Sequence, residues 1–114
     1  MTGLDVGREG GVLRLTLDRP DRLNALTDDM SDALATELER ATSYDDVRTV
    51  VIAGAGRAFC AGADISTADG PMRLDGRALD RVNRIVRAVT RLDKPVVAAV
   101  RGVAAGAGCS LALA

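Results

Sequence analysis

Residues 58–65 read Ala-Phe-Cys-Ala-Gly-Ala-Asp-Ile, and residues 102–108 read Gly-Val-Ala-Ala-Gly-Ala-Gly. Each small-residue segment follows a run of β-branched and aliphatic residues, Val47–Ala53 in the first case and Val96–Val100 in the second. Such runs predict buried β-strands. Small side chains at the exit of a strand leave backbone N–H groups accessible to a ligand. If the two exits lie side by side, these N–H groups can converge on one oxygen atom and form an oxyanion hole.

The remaining sequence predicts a β-hairpin and helices around these two strands. Leu4–Val6 and Val12–Leu17 alternate apolar and polar residues around Glu9-Gly10-Gly11, which is typical of a hairpin with one buried face. Thr27 is a suitable N-cap for a helix that runs to about Thr42. The apolar positions of this helix are Met30, Ala33, Leu34, Leu38 and Ala41.

A second amphipathic helix is predicted between the two small-residue segments. Residues 65–76 are rich in Gly, Pro, Asp and Thr, which predicts a mobile loop before it. Asp93-Lys94-Pro95 ends the helix. Residues 108–114 resemble the first turns of a third helix without a C-terminal cap, so we expect the chain to stop inside an element. The apolar positions of the second helix are Leu79, Val82, Ile85, Val86, Val89 and Leu92.

The order of two strands, helix, strand, helix, strand and helix predicts an α/β fold with covered sheets. A length of 114 residues suits one domain, and 47% hydrophobic residues suit a packed core. The net charge of −1 and the near absence of aromatic residues argue against nucleic-acid binding. No apolar stretch is long enough for a membrane span, and no leader segment is expected.

The cysteines and the lack of histidine limit the chemistry that the chain can carry. Cys60 and Cys109 lie in apolar surroundings without metal-ligand spacing, so we expect buried packing residues, no metal site and a cytoplasmic location. Without histidine, no Ser-His or Cys-His nucleophile can form within the chain. Ser110 and Cys60 are therefore not interpreted as activated nucleophiles.

Glycine-rich strand exits also suggest nucleotide binding, but both common fingerprints fail. Gly56 to Gly62 has the wrong spacing for a Walker A loop, and Ala63 stands at the lysine position. The segment Gly106-Ala107-Gly108 has Leu111 where a dinucleotide fingerprint needs a third small residue. A purely structural role for these glycines, in tight turns and close helix packing, stays open at this point.

Two converging N–H groups suit the chemistry of a thioester. When a thioester loses its α-proton or gains a β-nucleophile, charge develops on the carbonyl oxygen as an enolate. Preorganised donors stabilise that charge most strongly where water is excluded. A donor in the first turn of a helix, as Ala107 would be, also gains from the positive end of the helix dipole.

Three segments together resemble the enoyl-CoA hydratase/isomerase (crotonase) superfamily. They are Arg19-Pro20-Asp21-Arg22-Leu23-Asn24-Ala25-Leu26, the stretch 54–65, and the stretch from Lys94-Pro95 to Ala114. The resemblance covers essentially the whole chain in the right order. It implies repeated ββα units, with residues 1–114 forming a partial crotonase-fold domain that ends before the C-terminal helices.

The resemblance also implies residue roles. By motif position, the N–H groups of Ala63 and Ala107 hold the carbonyl oxygen of an acyl-CoA thioester. CoA is then part of the substrate, and no separate cofactor is implied. Asp64 is an orienting or structural carboxylate, with a helix cap or a surface ion pair as the alternative. The expected substrate-binding residues are Ala61, Gly62, Asp64 and Ile65 in the first turn, Gly106 and Ser110 in the second segment, and Arg22 and Ala25 near the nucleotide end of CoA.

One departure from the family pattern affects the expected reaction. Hydratases of this family typically carry their first catalytic glutamate directly after Gly-x-Gly-Cys, where this chain has Ser110, and no acid occurs from Lys94 to Ala114. This favours an isomerase, which can work with a single acid from further along the chain, over a hydratase. The alternative is a truncated or catalytically inactive acyl-CoA-binding fragment. The resemblance further implies a homo-oligomer, a trimer or a hexamer.

Overall fold

The computed structural model describes residues 3–62, 76–102 and 104. A hairpin opens this part of the chain, and helices then alternate with strands. A short 3-10 helix, Pro20–Arg22, follows the hairpin. The strands are β1 (Leu4–Glu9), β2 (Val12–Leu17), β3 (Thr49–Gly54) and β4 (Val96–Ala99), and the helices are α1 (Asp28–Ala41) and α2 (Gly76–Arg91).

The four strands form one sheet in the order β1-β2-β3-β4. β1 and β2 pair antiparallel, whereas β2 with β3 and β3 with β4 pair parallel. Parallel neighbours need a crossover connection, and α1 and α2 supply the two crossovers. Because both crossovers step in the same direction along the sheet and such connections are right-handed, both helices pack on the same face.

The core lies between this face and the two helices. Buried side chains of β2 and β3 alternate along each strand and meet the apolar sides of α1 and α2 in one cluster. The prediction of an α/β fold is therefore confirmed. The largest side chains of the cluster that lose all contact with solvent include Leu13, Leu15, Leu17, Met30, Leu34, Leu38 and Phe59.

The expectation that both faces of the sheet are covered is wrong for the described residues. Val6 and Val97 remain 44% and 50% exposed, and the burial of β4 alternates between half-buried and exposed residues. The predicted strand Val96–Val100 is in fact Val96–Ala99, and Val100 is 49% exposed. An apolar run does not reveal which of its faces is covered, because that depends on where the crossover helices pack.

Most other predicted elements are confirmed, with shifted bounds. β3 begins at Thr49 rather than Val47, because the Val47 N–H donates to the Tyr44 carbonyl in the turn after α1. Gly54 joins the strand through its pairing with Leu17. α2 begins at Gly76, before the first apolar marker of the predicted helix, and Arg91 is its last residue.

Both ends of α1 are held by side chains. The Thr27 hydroxyl accepts a hydrogen bond from the Met30 N–H at 3.2 Å, which confirms the predicted N-cap. At the other end, the Lys94 ammonium donates to the carbonyls of Ala41 at 2.7 Å and Tyr44 at 2.9 Å. Lys94 follows the end of α2 and binds the end of α1, and it thereby fixes the approach to β4.

The predicted third helix at 108–114 and most of the predicted loop at 65–76 lie outside the described residues. Within the described part of the chain, no helix is both long and apolar enough to cross a membrane.

We expect Lys94→Met to lower the free energy of unfolding by about 2 kcal/mol, because two carbonyls at a helix end lose a charged donor while the apolar stem is kept. Chemical denaturation monitored by circular dichroism measures this change. Arg91→Met, at an exposed position three residues earlier, is the matched control and should change the value by less than about 0.5 kcal/mol. Equal losses in the two variants would contradict a specific capping role.

Candidate active site

The segments that follow β3 and β4, which we call the first and the second exit, meet beyond the carboxyl ends of these strands. The last regular pair between these strands is Ala53 with Ala99, and an isolated parallel bridge then joins Cys60 to Ala104. The second exit also touches the first at Gly102. This residue has φ +68°, and a side chain there would overlap the Arg57 carbonyl. The expectation that the two exits lie side by side is therefore confirmed as far as residue 104.

The first exit is longer than the second. Between the two pairings, residues 54–59 lie on one side and residues 100–103 on the other, so the first exit bulges by two residues relative to its partner. Carbonyl groups in such a bulge leave the strand ladder and need other partners. The Ala55 and Ala58 carbonyls find theirs in the side chain of Asn24.

Asn24 is completely buried, and its carboxamide uses donor and acceptor atoms together. Its Nδ2 donates to the carbonyls of Ala55 and Ala58, both at 2.8 Å. Its Oδ1 accepts from the Arg19 N–H at 2.8 Å. One side chain thus joins the loop after β2 to the bulge after β3. Because its polar atoms are hydrogen-bonded, the buried amide avoids the free-energy cost of unpaired buried polar groups.

Residues 23–26, which we call the strap, also bind the first exit through the backbone. The Ala61 N–H donates to the Leu23 carbonyl at 3.0 Å, and the Leu26 N–H donates to the Gly62 carbonyl at 2.7 Å. These two hydrogen bonds hold the start of the predicted thioester-binding turn against the strap. The strap therefore fixes the path of the chain directly before Ala63.

The backbone conformation of three residues, two in the strap and one in the first exit, makes this contact possible. Leu23 and Asn24 have φ values of +52° and +57°, which is the left-handed region. Asparagine tolerates that region better than most residues, whereas leucine is uncommon in it. Gly62 has φ +108°, a conformation for which glycine is strongly favoured. The small residues of this turn are thus needed for the path of the backbone as well as for the access of a ligand to the backbone N–H groups.

The other predicted residues of the strap region differ in exposure. Arg22 ends the 3-10 helix and is exposed, while Ala25 is half-buried. The Ala25 carbonyl accepts a hydrogen bond from the Arg19 guanidinium at 2.9 Å. Arg19 therefore stabilises the strap, and Arg22 is exposed beside it.

Cys60 is a packing residue, as predicted. It is a free, buried cysteine, and burial raises the pKa of its thiol above the ordinary value. The thiol stays protonated at neutral pH, so it is a poor nucleophile. Its neighbour across the bridge, Ala104, is half-buried beside the same core cluster.

The structure brings four predicted site residues together. Arg22 lies beside the strap, Ala25 lies within it, and Ala61 and Gly62 pack against it. Ala63, Asp64, Ile65, Gly106, Ala107, Ser110 and Cys109 lie outside the described residues. Across residues 3–62, 76–102 and 104, no three metal-binding side chains lie close enough together to hold an ion.

Asn24 is the functional-site residue that sequence reasoning missed. In the sequence it appears only as the end of a connecting loop and as part of the Arg19–Leu26 motif. Asparagine in a loop favours left-handed backbone and hydrogen bonds from its side chain to nearby main-chain groups, which was an available signal. Its partners Ala55 and Ala58 are distant in sequence, however, and only the fold identifies them.

We expect Asn24→Gly to lower the free energy of unfolding by about 3 kcal/mol, because three main-chain groups, of which the Ala58 carbonyl is buried, lose their partner. Asn24→Ala should cost about 1 kcal/mol more, since alanine adds strain at positive φ. Urea denaturation measures both changes. Arg22→Ala, an exposed position in the same loop, is the control and should change the value by less than about 0.5 kcal/mol. A stable Asn24→Gly variant would show that the carboxamide does not hold the bulge.

Comparison with known proteins agrees with the fold. The model of the enoyl-CoA hydratase/isomerase family matches residues 7–114. A similar protein is 1,2-epoxyphenylacetyl-CoA isomerase of Escherichia coli, which is 46% identical over 110 residues covering 92% of this chain and 42% of the relative.

Solved structures give the same result. An enoyl-CoA hydratase from Mycobacterium avium subsp. paratuberculosis superposes with a TM-score of 0.86 at 42% identity, covering 97% of this chain and 41% of that one. An enoyl-CoA hydratase from Bacillus anthracis superposes with a TM-score of 0.89 at 30% identity, covering 97% and 44%. The chain spans about two fifths of the length of the relatives it matches. The chain belongs to the enoyl-CoA hydratase/isomerase family.

Proposed function

We propose that the chain forms the thioester-binding part of an acyl-CoA isomerase, in which the N–H groups of Ala63 and Ala107 bind the thioester carbonyl oxygen. The observation that carries this proposal is the parallel bridge between Cys60 and Ala104. Each predicted donor follows its bridge residue by three positions. Both donors therefore lie only a few residues beyond a point at which the two segments already touch, which supports their convergence.

These donors would act on charge that develops during the reaction. Removal of a proton from the acyl chain moves the C–H electron pair into the thioester, and the carbonyl oxygen becomes an enolate oxygen. Two fixed N–H groups stabilise the enolate more than the uncharged thioester, because they need no reorganisation as the charge appears. In acyl-transfer enzymes, loss of one such donor costs a factor of about 10² to 10³ in rate.

Isomerisation needs only one group that moves a proton. A carboxylate takes the proton from one carbon, and the resulting acid returns it to another carbon of the delocalised enolate, so the double bond migrates without any co-reactant. Hydration by two carboxylates would need an acid near the second exit, where this chain has Ser110. We therefore propose a single carboxylate from further along the protein as the proton carrier.

The CoA part of the substrate would lie along the strap. Arg22 is exposed next to the strap and carries a charge that suits the phosphates of CoA. Ala25 and Ala61 offer little steric hindrance to a long flexible ligand. The trimeric or hexameric assembly and the cytoplasmic location stay predictions.

We expect the full-length protein to shift the double bond of unsaturated acyl-CoA thioesters faster than it adds water to them. Parallel assays of isomerisation and hydration on one panel of enoyl-CoA substrates measure this ratio. Hydration that outpaces isomerisation with Ser110 intact would contradict the preference. Binding of enoyl-CoA without any turnover would favour the inactive acyl-CoA-binding alternative.

A Ser110→Glu variant tests the reason for this preference. If the missing carboxylate is what limits hydration, the substitution should raise the hydration rate, since a placed general acid or base contributes a factor of about 10² to 10⁴. Ser110→Gln has a similar volume without the acid and is the matched control. An equal hydration rate in the two variants would show that a carboxylate at this position is not the limiting factor.

The position of Arg22 predicts a contribution to CoA affinity. We expect Arg22→Ala to raise the KM for an acyl-CoA by about tenfold, because a charge-assisted contact to phosphate is worth about 1.5 kcal/mol. The KM for the corresponding acyl-pantetheine, which lacks the nucleotide, should stay unchanged. Arg48→Ala, an exposed arginine at the amino end of β3, is the control. Equal effects on the two substrates would contradict a role at the nucleotide end.

A further inference from the structure

The hydrogen bond from the Leu26 N–H to the Gly62 carbonyl reaches the peptide group that carries the first proposed donor. Its length is 2.7 Å, the shortest value among the described backbone contacts of the strap. The Gly62 carbonyl and the Ala63 N–H belong to the same peptide group. A contact that orients this carbonyl therefore orients the plane in which the N–H lies.

A peptide group is planar and almost always trans, so its C=O and N–H bonds point in opposite directions. The Gly62 carbonyl accepts its hydrogen bond from the strap, at the Leu26 N–H. We infer that the strap is a positioning element of the oxyanion hole, and that the Leu26 N–H aims the Ala63 N–H at the thioester oxygen. Leu26 is in this sense a positioning residue, because its amide acts through another group.

The same hydrogen bond strengthens the donor. A peptide carbonyl that accepts a hydrogen bond is polarised, and its own N–H then becomes a better donor. The strap keeps this hydrogen bond in place because Asn24 is buried and holds the strap to the bulge after β3. The Ala61 N–H forms the neighbouring hydrogen bond to the Leu23 carbonyl, but it touches neither end of the Gly62–Ala63 peptide group.

This difference between two neighbouring hydrogen bonds allows a matched experiment on the full-length protein. In one semisynthetic variant, Leu26 is replaced by the corresponding α-hydroxy acid, so an ester oxygen takes the place of the N–H and the side chain is kept. In the control, Ala61 is replaced by lactic acid in the same way. Each variant loses one backbone hydrogen bond between the strap and the first exit, and only the first variant releases the Gly62 carbonyl.

Two measurements separate positioning from stability. We expect the Leu26 ester to lower kcat by about 10- to 100-fold with little change in KM, because small misplacements of a reacting group have effects of that size. The Ala61 ester should lower kcat by a smaller factor, because it leaves the Gly62 carbonyl bound to Leu26. Infrared spectra of a bound enoyl-CoA with a labelled thioester carbonyl should show a lowered C=O frequency in the unmodified protein and a smaller lowering in the Leu26 ester.

The inference rests on the proposed function, and the outcomes distinguish the two. If the unmodified protein does not lower the carbonyl frequency, the oxyanion hole itself is wrong and the inference falls with it. If the frequency is lowered equally in the unmodified protein and the Leu26 ester, only the positioning role is overturned. Equal losses of kcat in both esters would also overturn it, because the strap would then contribute stability alone.

A second measurement tests the inference in the case that the Leu26 ester fails to fold. The unmodified backbone is made with a labelled carbonyl at Gly62, and its amide band is followed as enoyl-CoA binds. Because the labelled carbonyl and the Ala63 N–H share one peptide group, binding should shift the band. An unchanged band would overturn the donor role of Ala63, and the inference with it.

Discussion

The buried carboxamide of Asn24 is the interaction on which the rest of this site depends. The first strand exit is two residues longer than the second, so its carbonyls leave the ladder and need other partners, and one of these carbonyls belongs to the buried Ala58. Asn24 satisfies the Ala55 and Ala58 carbonyls and accepts from the Arg19 N–H. Without it, the chain would have to bury unpaired groups or straighten the bulge, and either change would move the turn that follows.

The site is built mainly from backbone. The Ala61 N–H and the Gly62 carbonyl pair with the strap, and the predicted catalytic donors are also backbone N–H groups. A backbone site needs small residues where the ligand approaches and a rigid support behind them. The support here comes from parallel strands that pair as far as Ala53 and Ala99 and meet again at the Cys60–Ala104 bridge. This arrangement suits the proposed stabilisation of charge on one oxygen atom.

The sheet has one covered face because both crossovers are right-handed and step in the same direction. Val97 and Val100 on the second half of the sheet stay about half exposed among the described residues. The relatives are more than twice as long as this chain, which spans 42% of one of them. The covered face nevertheless holds a continuous core. The residues of this chain therefore already hold the two strand exits in position.

The sequence by itself determined the elements, the α/β class and the family, because these depend on local patterns. Alternation predicted the hairpin, 3.6-residue spacing predicted both helices, and Thr27 marked a helix start that the structure confirms. The oxyanion donors and the preference for isomerisation stay predictions. Tertiary structure decided the partners of Asn24 and Lys94, the exposed face of β4, and the contact of Leu26 with Gly62. The contacts of Asn24 with Ala55, of Lys94 with Ala41 and of Leu26 with Gly62 each join groups more than thirty residues apart, and no local pattern encodes which distant carbonyl a donor will meet.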